Sequence, residues 1–264
     1  MWCILPGLAL APSDFEPLKQ SLAASLPDDA SDIRILDSWK VPVTGPIQAI
    51  RSHLLHDVDA CEPVNLIGHS VGGLAGLEWL LQAPKQVQHL ILLDPTAPEP
   101  SPWIWRWATR AHEKRILSPA SRRVFIRSAT QLVARTAPRL RSFLFRSLST
   151  PNHMSTEEAQ ERYGSPRAIA QLYDQFMQSW TQQDRIAAAV SARSTRVGGQ
   201  ALSAKTPILQ LVGVGPHDRA FIAQQRRLGE HLGSEVHCLM HTNHLFPISQ
   251  PHIVTGIIER WMRR

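Results

Sequence analysis

The chain has 264 residues, 43% of them hydrophobic, which suits one large α/β domain or one domain with a sizeable insertion. Its three cysteines are odd in number and far apart, without a C-x-x-C pair, which argues against a structural zinc site and favours reduced thiols. Because neither a basic leader nor a long apolar run is present, we expect no signal peptide, no transmembrane helix and a cytoplasmic protein.

Strands and helices alternate through the first 96 residues. Strands are predicted at residues 2–5, 33–36, 64–67 and 90–93, and helices at 13–26, 46–58 and 71–82. The first helix is expected to open with a capping box of Ser13 and Glu16. Nearly all-apolar strands that alternate with helices predict an α/β fold, with a mostly parallel sheet covered by helices on both faces.

The alternation stops at residue 97 and resumes at residue 207. Strands are predicted at 207–212 and 235–240, each followed by a helix, whereas residues 97–200 show helical periodicity without strands. We therefore expect a core of residues 1–96 and 201–264, with residues 97–200 inserted as a helical cap.

The pentapeptide Gly68-His-Ser-Val-Gly72 lies between a predicted strand and a predicted helix. A sharp strand-to-helix turn can hold Ser70 in a strained conformation with its hydroxyl exposed, and glycine suits positions where a Cβ has no room. This context indicates a nucleophile, and an ordinary tight turn is the alternative. We call residues Gly68–Gly72 the elbow.

A serine nucleophile needs a base, and the base needs an orienting acid, both in loops after the carboxyl ends of strands. Asp218 and His244 occupy such loops, and the chain order Ser70, Asp218, His244 is the order of the α/β-hydrolase fold. Asp218 could instead cap the following helix, and Asp94 is the alternative acid. His237 and His241 are rival bases, while His69 is expected to pack beside the nucleophile.

The oxyanion of an acyl-transfer reaction needs two backbone N–H donors. Val71, at the start of the elbow helix, is one candidate. Leu8, in the Pro6-Gly7-Leu8-Ala9 loop after the first strand, is the other, with an ordinary glycine turn as the alternative. No metal and no organic cofactor is needed for this chemistry.

These motifs resemble the α/β-hydrolase superfamily over roughly residues 2–96 and 205–263. The stretch His244-Leu-Phe-Pro-Ile-Ser-Gln-Pro251 is similar to the H-A-P-F-I-S-H-P stretch of pimeloyl-acyl-carrier-protein methyl ester esterases, the carboxylesterases of biotin synthesis. The chain departs from the pattern of that family in several respects: among them, Pro6-Gly7 replaces the usual His-Gly, and Asp37-Ser38-Trp39-Lys40 replaces a G-x-G-x-S loop. Trp39 is accordingly a candidate substrate contact.

The net charge of +6 is concentrated in one segment of the cap. Residues 101–150 hold eleven Lys and Arg against one acid, Glu113, and include Trp103, Trp105 and Trp107. Apolar residues recur there at helical spacing between the arginines, which predicts basic amphipathic helices.

Three interpretations of the cap are open. Its apolar faces could cover the pocket and leave the arginines solvated. It could dock an acidic partner such as acyl carrier protein, through Arg122, Arg123 and Arg127. It could contact an anionic membrane, which we weigh below the other two. Nucleic acid is not expected, because no binding motif accompanies the basic residues.

The expected function is that of a serine carboxylesterase acting on an acyl ester. The resemblance implies the methyl ester of pimeloyl-acyl carrier protein as its substrate. A hydrolase of small lipophilic esters or thioesters is the alternative enzyme, and a non-catalytic hydrolase-fold binding protein is the alternative of another class.

Overall fold

The computed structural model describes residues 1–26, 32–99, 119–196, 206–215 and 219–264, without the side chains of residues 119–129, 132 and 193–196. The predicted acid Asp218 and the tryptophans at 103, 105 and 107 therefore lie outside the described residues, as do the side chains of Arg122, Arg123 and Arg127. Among the described helices, none combines the length and apolar content that crossing a bilayer requires.

The core is a six-stranded sheet in which every pair of neighbours is parallel. The strands are β1 (Trp2–Leu5), β2 (Ile33–Ile35), β3 (Val64–His69), β4 (Val87–Leu93), β5 (Ile208–Val214) and β6 (Glu235–Met240). Their order across the sheet is β2-β1-β3-β4-β5-β6. The predicted α/β fold with a parallel sheet is confirmed.

Helices connect these strands and cover both faces of the sheet. They are α1 (Pro12–Ser25), α2 (Ile47–Leu54), α3 (Val71–Gln82), α4 (Pro119–Ser147), α5 (Thr156–Tyr163), α6 (Pro166–Arg196), α7 (Arg219–Leu232), α8 (Phe246–Ser249) and α9 (Pro251–Met262). The described residues between β4 and β5 form α4, α5 and α6, which we call the insertion.

Alternate residues of the central strands enter two apolar cores. In β1, Cys3 and Leu5 join the core on one face, while Trp2 and Ile4 join the core on the other. Burial on both faces is the reason that these strands are almost wholly apolar. Burial also raises the pKa of the Cys3 thiol to about 12, so this cysteine behaves as a small apolar side chain.

The first helix begins differently from the prediction. Its N-cap is Ala11, with Pro12 in the first turn, and the Asp14 carboxylate accepts a hydrogen bond from the Ala11 N–H at 2.9 Å. The expected box of Ser13 and Glu16 is wrong, because proline is well suited to the first helical turn and moves the start of the helix forward. Ser13 Oγ is buried, and none of the described residues forms a hydrogen bond with it.

Polar contacts fasten the insertion to the core. Arg185 of α6 pairs with Glu78 of α3 at 3.0 Å, and the other Glu78 oxygen accepts a hydrogen bond from Gln182 at 2.7 Å. Arg162 of α5 pairs with Asp37, in the loop after β2, at 2.9 Å. Since α3 also starts at the elbow, the insertion is fastened to the helix that follows Ser70.

Helix α4 is turned so that one arginine points inward. Arg141 is buried and forms an ion pair with Asp14, which is fully buried; its guanidinium also lies 4.0 Å from the centre of the Phe145 ring. By contrast, Leu140 and Phe143 are exposed. For Arg141 the expectation of a solvated arginine is wrong, because the buried acid Asp14 demands a cation at the packed face. The other α4 arginines whose side chains are described face solvent, as that interpretation of the cap expects.

Candidate active site

The elbow has the strained geometry that its sequence indicates. Ser70 is the N-cap of α3 and adopts φ 54° and ψ −119°, a conformation that side-chain-bearing residues rarely take. A Cβ at Gly72 would overlap the backbone carbonyl of Leu5, and one at Gly68 would overlap the carbonyl of Gly72. The surrounding backbone therefore enforces the turn and holds the serine at the carboxyl end of the central strand β3.

The carboxylate beside His244 belongs to Asp94, at the end of β4. His244 Nδ1 lies 2.7 Å from Asp94 Oδ2, and the other carboxylate oxygen accepts a hydrogen bond from the Gly213 N–H at 3.0 Å. Asp94 is 3% exposed and has a positive φ of 47°. Because a carboxylate only accepts, His244 carries its proton on Nδ1 and leaves Nε2 as the basic nitrogen.

Asp94 was the alternative acid in the sequence. Its signal was the Asp-Pro pair directly after an apolar strand, and the sheet order brings that strand next to β3, which carries the elbow. Asp218 follows β5, one strand further along, and lies outside the described residues, so its role stays a prediction.

The loop that presents His244 is held by several hydrogen bonds. The Asn243 carboxamide accepts from the Leu245 N–H at 2.7 Å and donates to the backbone carbonyl of Leu148, at the end of α4, at 2.8 Å. His69 Nε2 lies 2.9 Å from the His244 carbonyl oxygen, and the two imidazole rings are 4.7 Å apart. His244 is thereby tied both to the elbow and to the insertion.

His69 is a neutral donor in this contact. It is 1% exposed, and burial, aided by the nearby His244, lowers its pKa to about 3. A neutral imidazole that faces a carbonyl must carry its proton on the nitrogen facing it, so Nε2 donates. Its Nδ1 is buried without a hydrogen-bond partner among the described residues and lies against Gly7. The expectation that His69 packs beside the nucleophile is reasonable, but the sequence held no sign of its bond to His244.

The two predicted oxyanion donors belong to the two segments that adjoin Ser70, the loop after β1 and the start of α3. Val71 is the first residue of α3, where the N–H has no acceptor within the helix. Gly7 follows β1 and approaches so closely that an added Cβ would lie 3.0 Å from Ser70 Cβ. Leu8 comes next, in a turn closed by a 3.3 Å hydrogen bond from Leu10 N–H to the Gly7 carbonyl. These positions suit the donor roles predicted for Leu8 and Val71.

A cavity of about 410 Å³ opens beside Asp94 and His244. Aromatic and amide side chains from the insertion and from α7 line it, and the sequence had not singled out these residues. The lining includes Thr96, Trp180, Gln183, Phe221 and Gln224. Thr96 also joins the cavity to the elbow, because its N–H donates to the Ser70 carbonyl at 3.1 Å.

Trp39 packs at the junction of the core and the insertion. Its ring meets Tyr163 of α5 edge to face, with centroids 5.0 Å apart, and its carbonyl accepts from Gln171 at 2.8 Å. These contacts support the insertion, and the cavity beside His244 is lined by other residues. A substrate contact for Trp39 stays a prediction.

A parallel six-stranded sheet with a strained serine after β3, an acid at the end of β4 and a histidine after β6 that is hydrogen-bonded to that acid defines a hydrolase of the α/β type. The chain belongs to the alpha/beta hydrolase family, whose model matches residues 5–256. No curated protein matches the sequence.

Solved structures share this fold at low sequence identity. A probable hydrolytic enzyme from Pseudomonas aeruginosa superimposes with a TM-score of 0.56 and 14% identity, over 98% of this chain and 84% of its own. An epoxide hydrolase superimposes with a TM-score of 0.55 and 16% identity, over 99% of this chain and 90% of its own. A structure from a study of carboxylesterases of the thaumarchaeon Nitrososphaera gargenis superimposes with a TM-score of 0.50 and 16% identity, over 99% of this chain and 89% of its own. At these identities the likeness is one of fold.

Proposed function

We propose that the chain is a serine hydrolase that cleaves acyl esters, with Ser70 as nucleophile, His244 as general base and Asp94 as the acid that orients it. The observation that carries this proposal is the 2.7 Å hydrogen bond between Asp94 and His244 Nδ1, which leaves Nε2 free on the loop tied to the elbow. Asp94 thus takes the role that the sequence had given first to Asp218.

The reaction follows from these groups. His244 Nε2 accepts the Ser70 hydroxyl proton as Oγ attacks the ester carbonyl, and the Leu8 and Val71 N–H groups stabilise the resulting oxyanion. The tetrahedral intermediate collapses to an acyl-enzyme, and His244 gives its proton to the leaving alcohol. Water, activated by the same imidazole, then hydrolyses the acyl-enzyme and regenerates Ser70. Loss of one oxyanion donor typically costs about 10²–10³ in turnover.

Serine as the nucleophile favours esters over epoxides. A serine that opened an epoxide would become an ether, which a water molecule activated by histidine does not hydrolyse. An acyl-serine is an ester and turns over readily. We therefore assign acyl transfer to this chain, although one structure of the same fold is an epoxide hydrolase.

The carboxyl-terminal resemblance supports a specific substrate, the methyl ester of pimeloyl-acyl carrier protein. Wild-type protein should release methanol from this carrier-bound ester, and Ser70→Ala should not. If Arg122, Arg123 and Arg127 dock the carrier, charge reversal at these residues raises KM for the carrier-bound ester and spares the free methyl ester. Intact carrier-bound substrate after incubation with wild-type protein would exclude this substrate.

The exposed apolar face of α4 favours a second candidate, a hydrolase of lipophilic esters or thioesters. In that case short p-nitrophenyl esters would turn over well, independently of the arginines. Both candidates require a reactive serine, so a fluorophosphonate probe should label wild-type protein and not Ser70→Ala. Failure to label the wild type would favour a non-catalytic binding protein.

A further inference from the structure

Five large apolar side chains on α4 and just after it face solvent. Their exposed fractions run from 40% to 64%, and Phe143 is the most exposed. Their spacing places them on one side of the helix, along about 22 Å at 1.5 Å per residue. We call this set the α4 stripe; its members are Val133, Leu140, Phe143, Leu144 and Leu148.

Arginines form one edge of the α4 stripe. Arg135, Arg139 and Arg146 are exposed and, at spacings of four and seven residues, share a second face of the helix. Within the described residues, none of the three takes part in an ion pair. The α4 sequence carries seven arginines and no acidic residue, and the buried Arg141 is the one paired with Asp14. The exposed side of α4 is therefore strongly cationic as well as apolar.

The α4 stripe ends at the loop that carries the catalytic base. The Leu148 carbonyl accepts the hydrogen bond of Asn243, the residue before His244. Met240, at the end of β6, is also apolar and 63% exposed. A lipophilic molecule that follows the stripe would thus arrive beside His244.

We propose that the α4 stripe and its arginine edge bind an anionic lipid surface, and that the ester enters the site from that surface; the second part rests on the proposed function. Arginine guanidinium groups can reach lipid phosphates while their stems lie along the apolar side chains. The apolar face then sinks into the headgroup boundary, as in interfacial helices. An acidic protein partner would satisfy the arginines but gives no reason for five apolar side chains to be exposed.

The test is sedimentation of the full chain with vesicles of phosphatidylcholine, with or without an equal part of phosphatidylglycerol. Wild-type protein should bind the mixed vesicles far more tightly, and added salt should weaken this binding. The triple variant R135Q/R139Q/R146Q should bind them about 100-fold less tightly, about fivefold for each arginine. The variant L140S/F143S/L144S should also lose binding, because it cannot insert.

A matched control removes three positive charges elsewhere. The variant R226Q/R260Q/R263Q changes exposed arginines on α7, on α9 and just after α9, and it should bind mixed vesicles as the wild type does. Equal loss in both arginine triples, or no binding of wild-type protein to mixed vesicles, would overturn the proposal. So would arginine-dependent binding of purified acyl carrier protein in the absence of vesicle binding.

Two further measurements separate this proposal from the proposed function. Ser70→Ala should bind vesicles like the wild type, since the stripe does not depend on the nucleophile. Turnover of a soluble short ester should be unchanged in R135Q/R139Q/R146Q. Vesicle binding without hydrolysis of any ester would refute the proposed esterase activity and leave the lipid-binding surface supported. Ester hydrolysis without vesicle binding would refute the lipid-binding surface and leave the esterase activity supported.

Discussion

His69 donates a hydrogen bond from Nε2 to the backbone carbonyl of His244 across 2.9 Å, so the residue before Ser70 holds the loop that carries His244. We expect His69→Leu to lower kcat about tenfold to 100-fold, because small misplacements of reacting groups cost rates of that order. His69→Gln retains an N–H donor and should keep most of the activity. Steady-state kinetics of both variants, with KM nearly unchanged, checks this. Equal losses in both would contradict a positioning role.

His69 also predicts a pH dependence of stability. Its pKa is about 3 in the folded protein, below the ordinary value of 6.5, so the unfolded chain binds the extra proton between these limits. The free energy of unfolding should therefore fall as the pH drops from about 6.5 towards 3, by at most about 1.4 kcal/mol per pH unit from this group. Urea unfolding at pH 7 and pH 5 should show a smaller loss for His69→Gln than for wild-type protein.

Asp94 is expected to matter more than Asp218. Replacing the orienting acid by its amide permits the wrong imidazole tautomer, and Asp94→Asn should lower kcat by about 10⁴. Asp218→Asn should leave ester turnover close to the wild-type value. Both substitutions are nearly isosteric, and circular dichroism would verify their folding. A large loss of kcat in Asp218→Asn, together with an active Asp94→Asn, would show that Asp218 is the orienting acid.

Gly72 is expected to tolerate no side chain. A Cβ there would overlap the Leu5 carbonyl, so Gly72→Ala must move the end of β1 or the elbow. We expect it to abolish soluble expression or to destabilise the fold by more than about 3 kcal/mol. The control is Gly256→Ala in α9, where the nearest atom would be 3.8 Å away. That change should stabilise the protein by about 0.5–1 kcal/mol in thermal unfolding; equal effects at both positions would contradict the prediction.

The buried pair of Arg141 and Asp14 predicts a non-additive effect. Arg141→Met leaves an unpaired carboxylate in the core and should cost about 3–5 kcal/mol of unfolding free energy. The double variant D14N/R141M keeps an acceptor for the Ala11 N–H and removes both charges, so it should recover most of this loss. Chemical denaturation of the two single variants and the double variant measures the coupling. If the double variant loses as much unfolding free energy as the two single variants together, the two residues do not interact.

Local patterns predicted the framework well. The apolar strands could be predicted because burial on both faces restricts the residue types at consecutive positions. The elbow could be predicted because the close approach of neighbouring backbone restricts its residues to glycine at two positions. Asp94 and Asp218 could not be ranked, since both follow strands and the sequence does not give the distance of either from His244. The side of α4 that packs inward could not be predicted, because it is set by the pairing of Arg141 with Asp14, which is 127 residues away in the chain. This long-range ion pair, and not the helical periodicity, determines which face of α4 is buried.

The site joins residues that become available at very different times during synthesis. Ser70 and Asp94 leave the ribosome early, but His244 follows 150 residues after Asp94. A nascent chain can form the contacts between β1, β3 and β4, together with the elbow, while the two closing strands are still missing. Pairing of β4 with β5 must then close a loop that contains the whole insertion. Under the proposed mechanism, hydrolytic activity is consequently the last property that the chain acquires, and we expect any fragment that ends before His244 to be inert.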